Sequence, residues 1–350
     1  MTARRIAALV VALTLCGMAI CYSASRTGKG LPPEVIQIHG AGATFPAPLY
    51  KKWLEEHHKR YPQVLVSYDP IGSGEGTKQF LAGAVDFGAS DAAMSDEEMV
   101  PVERGVQLVP VVAGSIVLAY NLEALGGDLR LTRDVYVNIF QGKIKTWDDP
   151  RLKQINPDLN LPSRDIAIVV RQDSSGTTYA FTNHLSAISE GWRDRGPGTG
   201  RLIDWPGNAM AARGNEGVAG RIKMSKGAIG YVEYGIATRA GLFMAWLENK
   251  AGRFIQPHGG SGLAALMNTA MPDNLRVFLP DPEGRDSYPI VTYSWLLLYK
   301  KYDDPQKAAA LKQYVKWCLT EGQQFNEPLG FVRLPPPVVA RGTHAVERIQ

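Results

Sequence analysis

Short runs of apolar residues alternate along this chain with longer stretches whose apolar positions recur at helical spacing. Residues 35–38, 64–68, 85–91, 166–170 and 228–232 are compact apolar runs bounded by glycine or polar residues, the pattern of buried strands. Pro46 and Pro48 suit a first helical turn, and Tyr50, Trp53, Leu54 and His57 continue on one face. Residues 132–141, 178–190 and 305–319 carry the same periodicity, and Gly214-Asn215-Glu216-Gly217-Val218 opens a short helix ending near Lys226-Gly227. Ser95-Asp96-Glu97-Glu98 resembles a capping box. Two longer apolar signals, at 107–121 and 289–298, read as long strands. Pro110 cannot donate to a sheet ladder, so the first half of the earlier one belongs at an edge or a bend. Gly259-Gly260-Ser261-Gly262 reads as a flexible loop, and Leu334-Pro335-Pro336-Pro337 as the end of the ordered pattern, leaving Arg341 and Arg348 in a solvated tail.

Alternating strands and helices argue for open, mostly parallel α/β sheets. The two long strand signals bracket a middle block. The simplest arrangement has two lobes, the first completed by the C-terminal part of the chain: 34–112 plus 286–350 for one, 113–285 for the other. Ligands in such sheets bind where strands end and helices begin. Two lobes set two such edges face to face across a cleft.

The first residues change the picture of where this happens. Arg4 and Arg5 precede an almost wholly apolar stretch, residues 6–20, and small residues follow at Ser23, Ala24 and Ser25. This is the layout of a secretory signal over residues 1–25, cleaved after Ser25 or, nearly as well, after Ser23. The run is short for a retained membrane anchor. A lipid-anchored cysteine is disfavoured because bulky Leu15 and Ile20 precede Cys16 and Cys21. Of the three cysteines only Cys318 survives cleavage, so an intramolecular disulfide is excluded. Cys318 sits on a helical pattern with Tyr314, Val315 and Leu319, as a buried thiol would. Losing Arg4 and Arg5 from 38 basic residues, against 34 acidic ones, leaves about +2, too balanced for a nucleic-acid binder.

The chemistry gathers at strand-to-helix junctions. Arg171-Gln172-Asp173-Ser174-Ser175-Gly176-Thr177-Thr178 stands between an apolar run and a helix. The first N–H groups of a helix lack intrahelical partners and sit at the positive end of its dipole, so such a junction suits an oxyanion. Gly40-Ala41-Gly42-Ala43-Thr44-Phe45 reads as a glycine turn that delivers Thr44 to the next helix; Phe45 at the third glycine position rules out a dinucleotide fingerprint. In Gly72-Ser73-Gly74-Glu75-Gly76-Thr77-Lys78, Thr77 separates the last glycine from the lysine, so no P-loop is present. Ser73 as a plain helix cap is the bland alternative there. Asp91, after a strand, has a turn or cap aspartate as its ordinary fate. Adjacent His57 and His58 point apart on a helix, as surface or half-buried residues rather than metal ligands. No metal or cofactor is expected.

Five motifs in order, Gly40 to Pro48, Ile71-Gly72-Ser73, Val85 to Asp91, Ser174-Ser175-Gly176-Thr177 and Gly227 to Tyr234, make the chain resemble the periplasmic phosphate-binding protein of the bacterial high-affinity phosphate ABC transporter, from about residue 36 to about 335. The resemblance implies a two-lobed type II periplasmic binding protein fold joined by two crossover strands, and a monomer that binds inorganic phosphate in the periplasm for delivery to membrane permease subunits. It further implies phosphate contacts from Thr44, the Phe45 amide, Ser73 and Asp91 in one lobe, and from Arg171, Ser175, Gly176 and Thr177 in the other, with Asp173 pairing the arginine. The chain departs from the pattern at Gly74-Glu75, where many relatives carry a serine and a glycine; a contact from position 74 is thereby put in doubt.

These residues make sense as a set. Helix N-termini, hydroxyls and one guanidinium fill the oxygen lone pairs of an anion. Asp91 names it: phosphate near neutral pH keeps a P–O–H to donate, sulfate keeps none, and a carboxylate facing sulfate is an unpaired, repulsive acceptor. Two rival readings remain at this stage. A phosphatase using Ser175 lacks a Gly-x-Ser-x-Gly elbow and any Asp/His metal cluster. A phosphate sensor or scavenger that feeds no transporter shares every residue named above.

Overall fold

Fifteen residues of unbroken strand, Val106–Tyr120, run through the middle of the molecule, and the other elements are arranged to either side. The computed structural model describes residues 35–350 apart from 206 and 208, so the expected export signal at 1–25 lies outside the described residues. In chain order the strands are β1 (Ile36–Gly42), β2 (Val64–Asp69), β3 (Phe87–Ser90), β4 (Val106–Tyr120), β5 (Arg130–Leu131), β6 (Ala167–Arg171), β7 (Met210–Ala212), β8 (Ala228–Glu233), β9 (Phe243–Met244), β10 (Trp246–Glu248), β11 (Phe254–Ile255) and β12 (Val291–Tyr299). The main sheet has the order β2-β1-β3-β12-β4-β8-β6-β7, with β9 also on β4; β11-β10-β5 form a small separate sheet.

The main sheet is parallel on its flanks, where helices connect β1, β2 and β3, and β6, β7 and β8. Its centre is antiparallel, because β4 and β12 run side by side in opposite directions. That qualifies the expectation of mostly parallel pairing. The long strand changes partner midway. Residues 106–115 pair with β12, and 116–120 pair with β8. The returning chain meets it at the changeover, where Ile116 N–H donates to Ile290 O at 2.9 Å. The sheet thus consists of two halves joined through β4, each with its own helical cover.

Pro110 falls where the ladder slips. Ser294 faces Val112 but Trp295 faces Pro110, so Val111 is the extra residue of a bulge. The Val111 carbonyl is satisfied instead by Gln323 Nε2 at 3.0 Å. The bend inferred from the missing donor is present.

Other sequence expectations fare unevenly. The helix Pro305–Leu319 starts as anticipated, its N–H groups at Gln306 and Lys307 capped by Asp304. Cys318 is fully buried in it, and burial pushes its thiol far above the usual range. The Ser95–Glu98 capping box closes in both directions. Gly40, Ala41 and Gly42 belong to β1 rather than to a turn; Gly40 lies under the Phe87 ring, where a Cβ would come within 2.1 Å of Cζ. The presumed loop at Gly259–Gly262 is the first turn of a helix, Gly259–Met267, capped by the His258 side chain, and Ala265 and Leu266 are buried by it. The prolines at 335–337 start a helix rather than ending the order. It spans Pro336–Glu347, so Arg341 and Arg348 are exposed as expected but on an ordered helix and its C-cap rather than in a tail, and the Arg341 guanidinium reaches Met271 O and Asp273. His57 is buried among Tyr61, Tyr314 and Trp317 rather than half-exposed.

Candidate functional site

β6 ends at Arg171, and four residues later Ser175 caps the helix Gly176–Ile188 by accepting from Thr178 N–H at 3.1 Å. The Arg171 side chain is buried and held in a fork: Nε donates to Asp173 Oδ1 at 2.8 Å, and Nη2 donates to Oδ2. Asp173 also accepts from Gly214 N–H at 2.9 Å. Burial works against its charge, but the bonded Arg171 outweighs that and holds the carboxyl below the usual range. The backbone N–H of Arg171 donates to Tyr231 Oη, which also meets the Thr178 hydroxyl at 2.7 Å. A short strand end is thereby braced on all sides. Nη1 is left pointing at Thr177 Oγ1, 3.4 Å away.

The other half of the sheet brings its own strand ends to the same place. The helix Ser73–Leu81 has Gly72, at φ 100°, as its cap, so the plain-cap reading of Ser73 is set aside. Ser73 Oγ instead accepts from the Asp91 N–H at 3.2 Å, and its own proton remains to be given elsewhere. Asp91 follows β3, is 1% exposed, and accepts from the Thr177 hydroxyl at 3.4 Å through Oδ2. Its Oδ1 is buried without a hydrogen-bond partner among the described residues. Burial pushes this carboxyl up to about 7, against the pull of the nearby Ser294 hydroxyl, the Arg171 charge and Thr177. Thr44 is buried beyond the end of β1, ahead of the helix Ala47–Arg60. Phe45 turns its ring into the core against Phe331, which leaves only its backbone to face an anion.

Glycines set how closely the halves approach. A Cβ on Gly176 would lie 2.5 Å from Ser73 Oγ and 2.7 Å from the Asp91 Cβ. On Gly74 it would lie 2.0 Å from Ser174 Oγ, and on Gly72 2.6 Å from Asp173 Oδ2. Gly74 N–H donates across the junction to Ser174 O at 3.0 Å. The departure noted at position 74 therefore has a use: with Ser174 opposite, a second side chain has no room.

Thr44, Ser73, Asp91, Arg171, Ser175, Gly176 and Thr177 all converge on one buried spot, with Asp173 behind the arginine. Two groups there escaped sequence reasoning. Asn215, fully buried, links Thr44 to Thr177. Arg201 crosses the rim to Glu98, with Nη1–Oε1 at 2.7 Å, and to Ala92 O at 3.2 Å. Both are long-range contacts; Gly214-Asn215 signals only the start of a helix, and nothing local marks Arg201.

The spot holds one guanidinium already matched by a carboxylate, plus Asp91. What it offers an anion is therefore mostly oriented N–H and O–H groups at helix starts. Asp91 is not the only buried acid: burial pushes Glu233 up to about 8, partly countered by the Gly235 and Ile236 N–H groups it caps. A carboxyl raised from 3.8 or 4.5 in the folded state adds stability that is complete below those values and lost as pH rises through about 7 and about 8. Burial lowers His57 and His184 from 6.5 to about 4, so their contribution is lost as pH falls below 6.5. The unfolding midpoint of the ligand-free protein is accordingly expected to rise as pH drops from 8.5 to 6.5, then to level or fall. A thermal scan across that range that is flat, or steepest below pH 6.5 with the same sign, counts against these assignments.

A PBP superfamily domain matches residues 27–321. The chain is 40% identical over 306 residues to a phosphate-binding protein PstS of Haemophilus influenzae, covering 87% of this chain and 90% of that one. It is 37% identical over 313 residues to the PstS of Pasteurella multocida (89% and 90% covered). The PstS of Methanocaldococcus jannaschii is 36% identical over 93% of this chain and 90% of its own. Among solved structures, a high-affinity periplasmic phosphate-binding protein (PfluDING) bound with phosphate superposes with a TM-score of 0.73 at 21% identity, over 87% of this chain and 92% of that one. A phosphate-binding protein from Stenotrophomonas maltophilia gives the same TM-score and identity over 89% and 94%. At that identity the two structures speak for the fold.

Proposed function

From the premise that this chain belongs to the PstS family of phosphate-binding proteins, the non-enzymatic binding component of a phosphate ABC transport system, we propose that one inorganic phosphate is held where the two halves of the main sheet meet. Thr44, the Phe45 amide, Ser73 and Asp91 supply contacts from the first half. Arg171, Ser175, Gly176 and Thr177 supply those from the second, and Asp173 keeps the Arg171 fork in plane. The observation that carries this reading is the buried convergence of Arg171 and Asp91 around Thr177, with Thr177 Oγ1 3.4 Å from each. A lone arginine would suit many anions. An arginine paired with a buried acceptor suits an anion that carries both charge and a proton.

The two halves act as lobes, 34–112 plus 286–350 and 113–285. The changeover near Ser115–Ile116 and the neighbouring chain at Ile290–Val291 form the hinge. Support comes from the change of strand partner at that point and from the direct contacts between halves at Gly74–Ser174 and Arg201–Glu98. Closure completes the contacts from both sides together, as in other hinged binding proteins. Residues 1–25 direct export to the periplasm, where the closed, monomeric form presents itself to permease subunits. A sensor or scavenger role would use the same site.

Equilibrium dialysis with labelled phosphate at pH 8 is expected to give one site per chain, retained in a large excess of sulfate. No saturable binding, or release of phosphate by equimolar sulfate, would refute the assignment.

A further inference from the structure

We propose that Asn215 is a positioning residue that makes the hydroxyls of Thr44 and Thr177 obligate donors toward the bound anion. The inference rests on the phosphate-binding reading above and adds to it a residue that touches the two hydroxyls.

Asn215 lies in the first turn of the helix Gly214–Met224, fully buried. Its amide orientation is dictated by chemistry. The Glu233 backbone N–H, which can only donate, stands 3.1 Å from Asn215 Oδ1, so the oxygen must face it and the NH₂ must face the other way. Glu233 does not compete for that NH₂, since its carboxylate is engaged by the N–H groups of Gly235 and Ile236 at 2.7 and 2.8 Å. The two amide protons then reach Thr44 Oγ1 at 3.1 Å and Thr177 Oγ1 at 3.0 Å.

A hydroxyl has one proton and two lone pairs. Thr44 Oγ1 accepts from Nδ2 and also from the Asn215 backbone N–H at 3.2 Å, which occupies both lone pairs. Thr177 Oγ1 accepts from Nδ2 and from Arg171 Nη1 at 3.4 Å, with the same result. Each threonine has only its proton left to offer. That of Thr177 points to Asp91 Oδ2 at 3.4 Å, a long bond that a small rotation redirects to an anion oxygen. Hydroxyls left to themselves can turn either a proton or a lone pair to a neighbour. Here the turn is already made, and in opposite halves of the sheet at once, so an arriving anion meets donors without reorganising them.

The test is a cycle of phosphate dissociation constants at pH 8 for wild type, N215D, T44V and the double variant. Aspartate keeps the size of asparagine but puts an acceptor where Nδ2 was, so Thr44 must donate to it and turn a lone pair to the anion. The added charge acts in both backgrounds and cancels in the comparison. N215D is expected to weaken phosphate at least about tenfold more in the wild-type background than in T44V. A merely structural tether predicts no greater loss in the wild-type background, because the carboxylate introduced by N215D can still accept from Thr44 and hold the halves together, and T44V has already removed that link. Equal losses in both backgrounds, or a larger loss in T44V, overturn the proposal. If N215D does not fold, as judged by its melting curve without phosphate, N215A in the same cycle takes its place, and equal losses again overturn it. Failure of wild type to bind phosphate at all would instead strike the functional reading itself.

Discussion

Arg171→Ala is expected to weaken phosphate binding by about 10³-fold, the largest single loss at the site. A charge-assisted hydrogen bond contributes roughly 1.5–3 kcal/mol, so losing two from the Nη1 and Nη2 protons that Asp173 does not take corresponds to roughly two to four orders of magnitude. The position of Asp173 keeps the outcome away from the lower end of that range. Its side chain is only 9% exposed and its charge is balanced by Arg171 alone among nearby cations described above. Without the guanidinium, a buried carboxylate would face the incoming anion. Asp173→Asn, which removes the partner and keeps the arginine, should therefore cost much less. Titration calorimetry with inorganic phosphate on both variants checks the order. An affinity within threefold of wild type for Arg171→Ala would remove Arg171 from the site, and a greater loss for Asp173→Asn would reverse the roles assigned to the pair.

The second large effect concerns selectivity rather than affinity. In the proposed site Asp91 faces the anion, with Oδ1 lacking a partner among the described residues and Oδ2 only weakly engaged. At pH 8 the carboxyl, pushed up to about 7 by burial, is mostly ionised and can only accept. Phosphate offers a proton and sulfate does not, so the ionised residue should exclude sulfate by roughly 10⁴-fold, the scale of sites built around a ligand hydroxyl. Asp91→Asn removes the charge and provides an N–H₂ that suits sulfate as well. Labelled phosphate on this variant should then be displaced by sulfate at comparable concentration. The wild type should show a milder form of the same failure as pH falls below about 7, because a protonated Asp91 donates instead of accepting. Sulfate exclusion that persists undiminished in Asp91→Asn would mean that discrimination lies elsewhere.

The features of this site that can be read from the sequence are the ones written locally. An apolar run followed by glycine, serine and threonine fixes a strand end and a helix start, and this located the Arg171–Thr177 stretch before any geometry; the same pattern leaves Ser73 and Asp91 as a helix cap and a turn residue, and only the family resemblance put them forward as contacts. Asp304-Pro305 and Ser95–Glu98 announce their helices in the same way. Where local chemistry misled, tertiary packing had the deciding vote. Gly259 and Gly260 have poor helix propensity, yet burial of Ala265 and Leu266 behind them and the His258 cap hold the turn. Pro336 and Pro337 terminate what precedes them, but a proline in a first turn is equally a beginning. Asn215 and Arg201 were beyond reach for a different reason. Their partners Thr44 and Glu98 lie 171 and 103 residues away, and no short-range pattern encodes such a meeting.

The bare backbones at Gly72, Gly74 and Gly176 bear on how this molecule could be tuned. Each marks a contact where one half rests on the other, and none of the three needs to lend a side chain to the ligand. Adding one carbon, then a hydroxymethyl, at these positions would work like inserting shims of increasing thickness into a jaw. At Gly74, where the added carbon would press on Ser174, the grip could be loosened by steps while the arginine, the aspartate and the hydroxyls proposed to identify the cargo stay untouched; at Gly176 it would press on Ser73 and Asp91 themselves. Such a series would separate, within one protein, how tightly the jaw shuts from what it recognises.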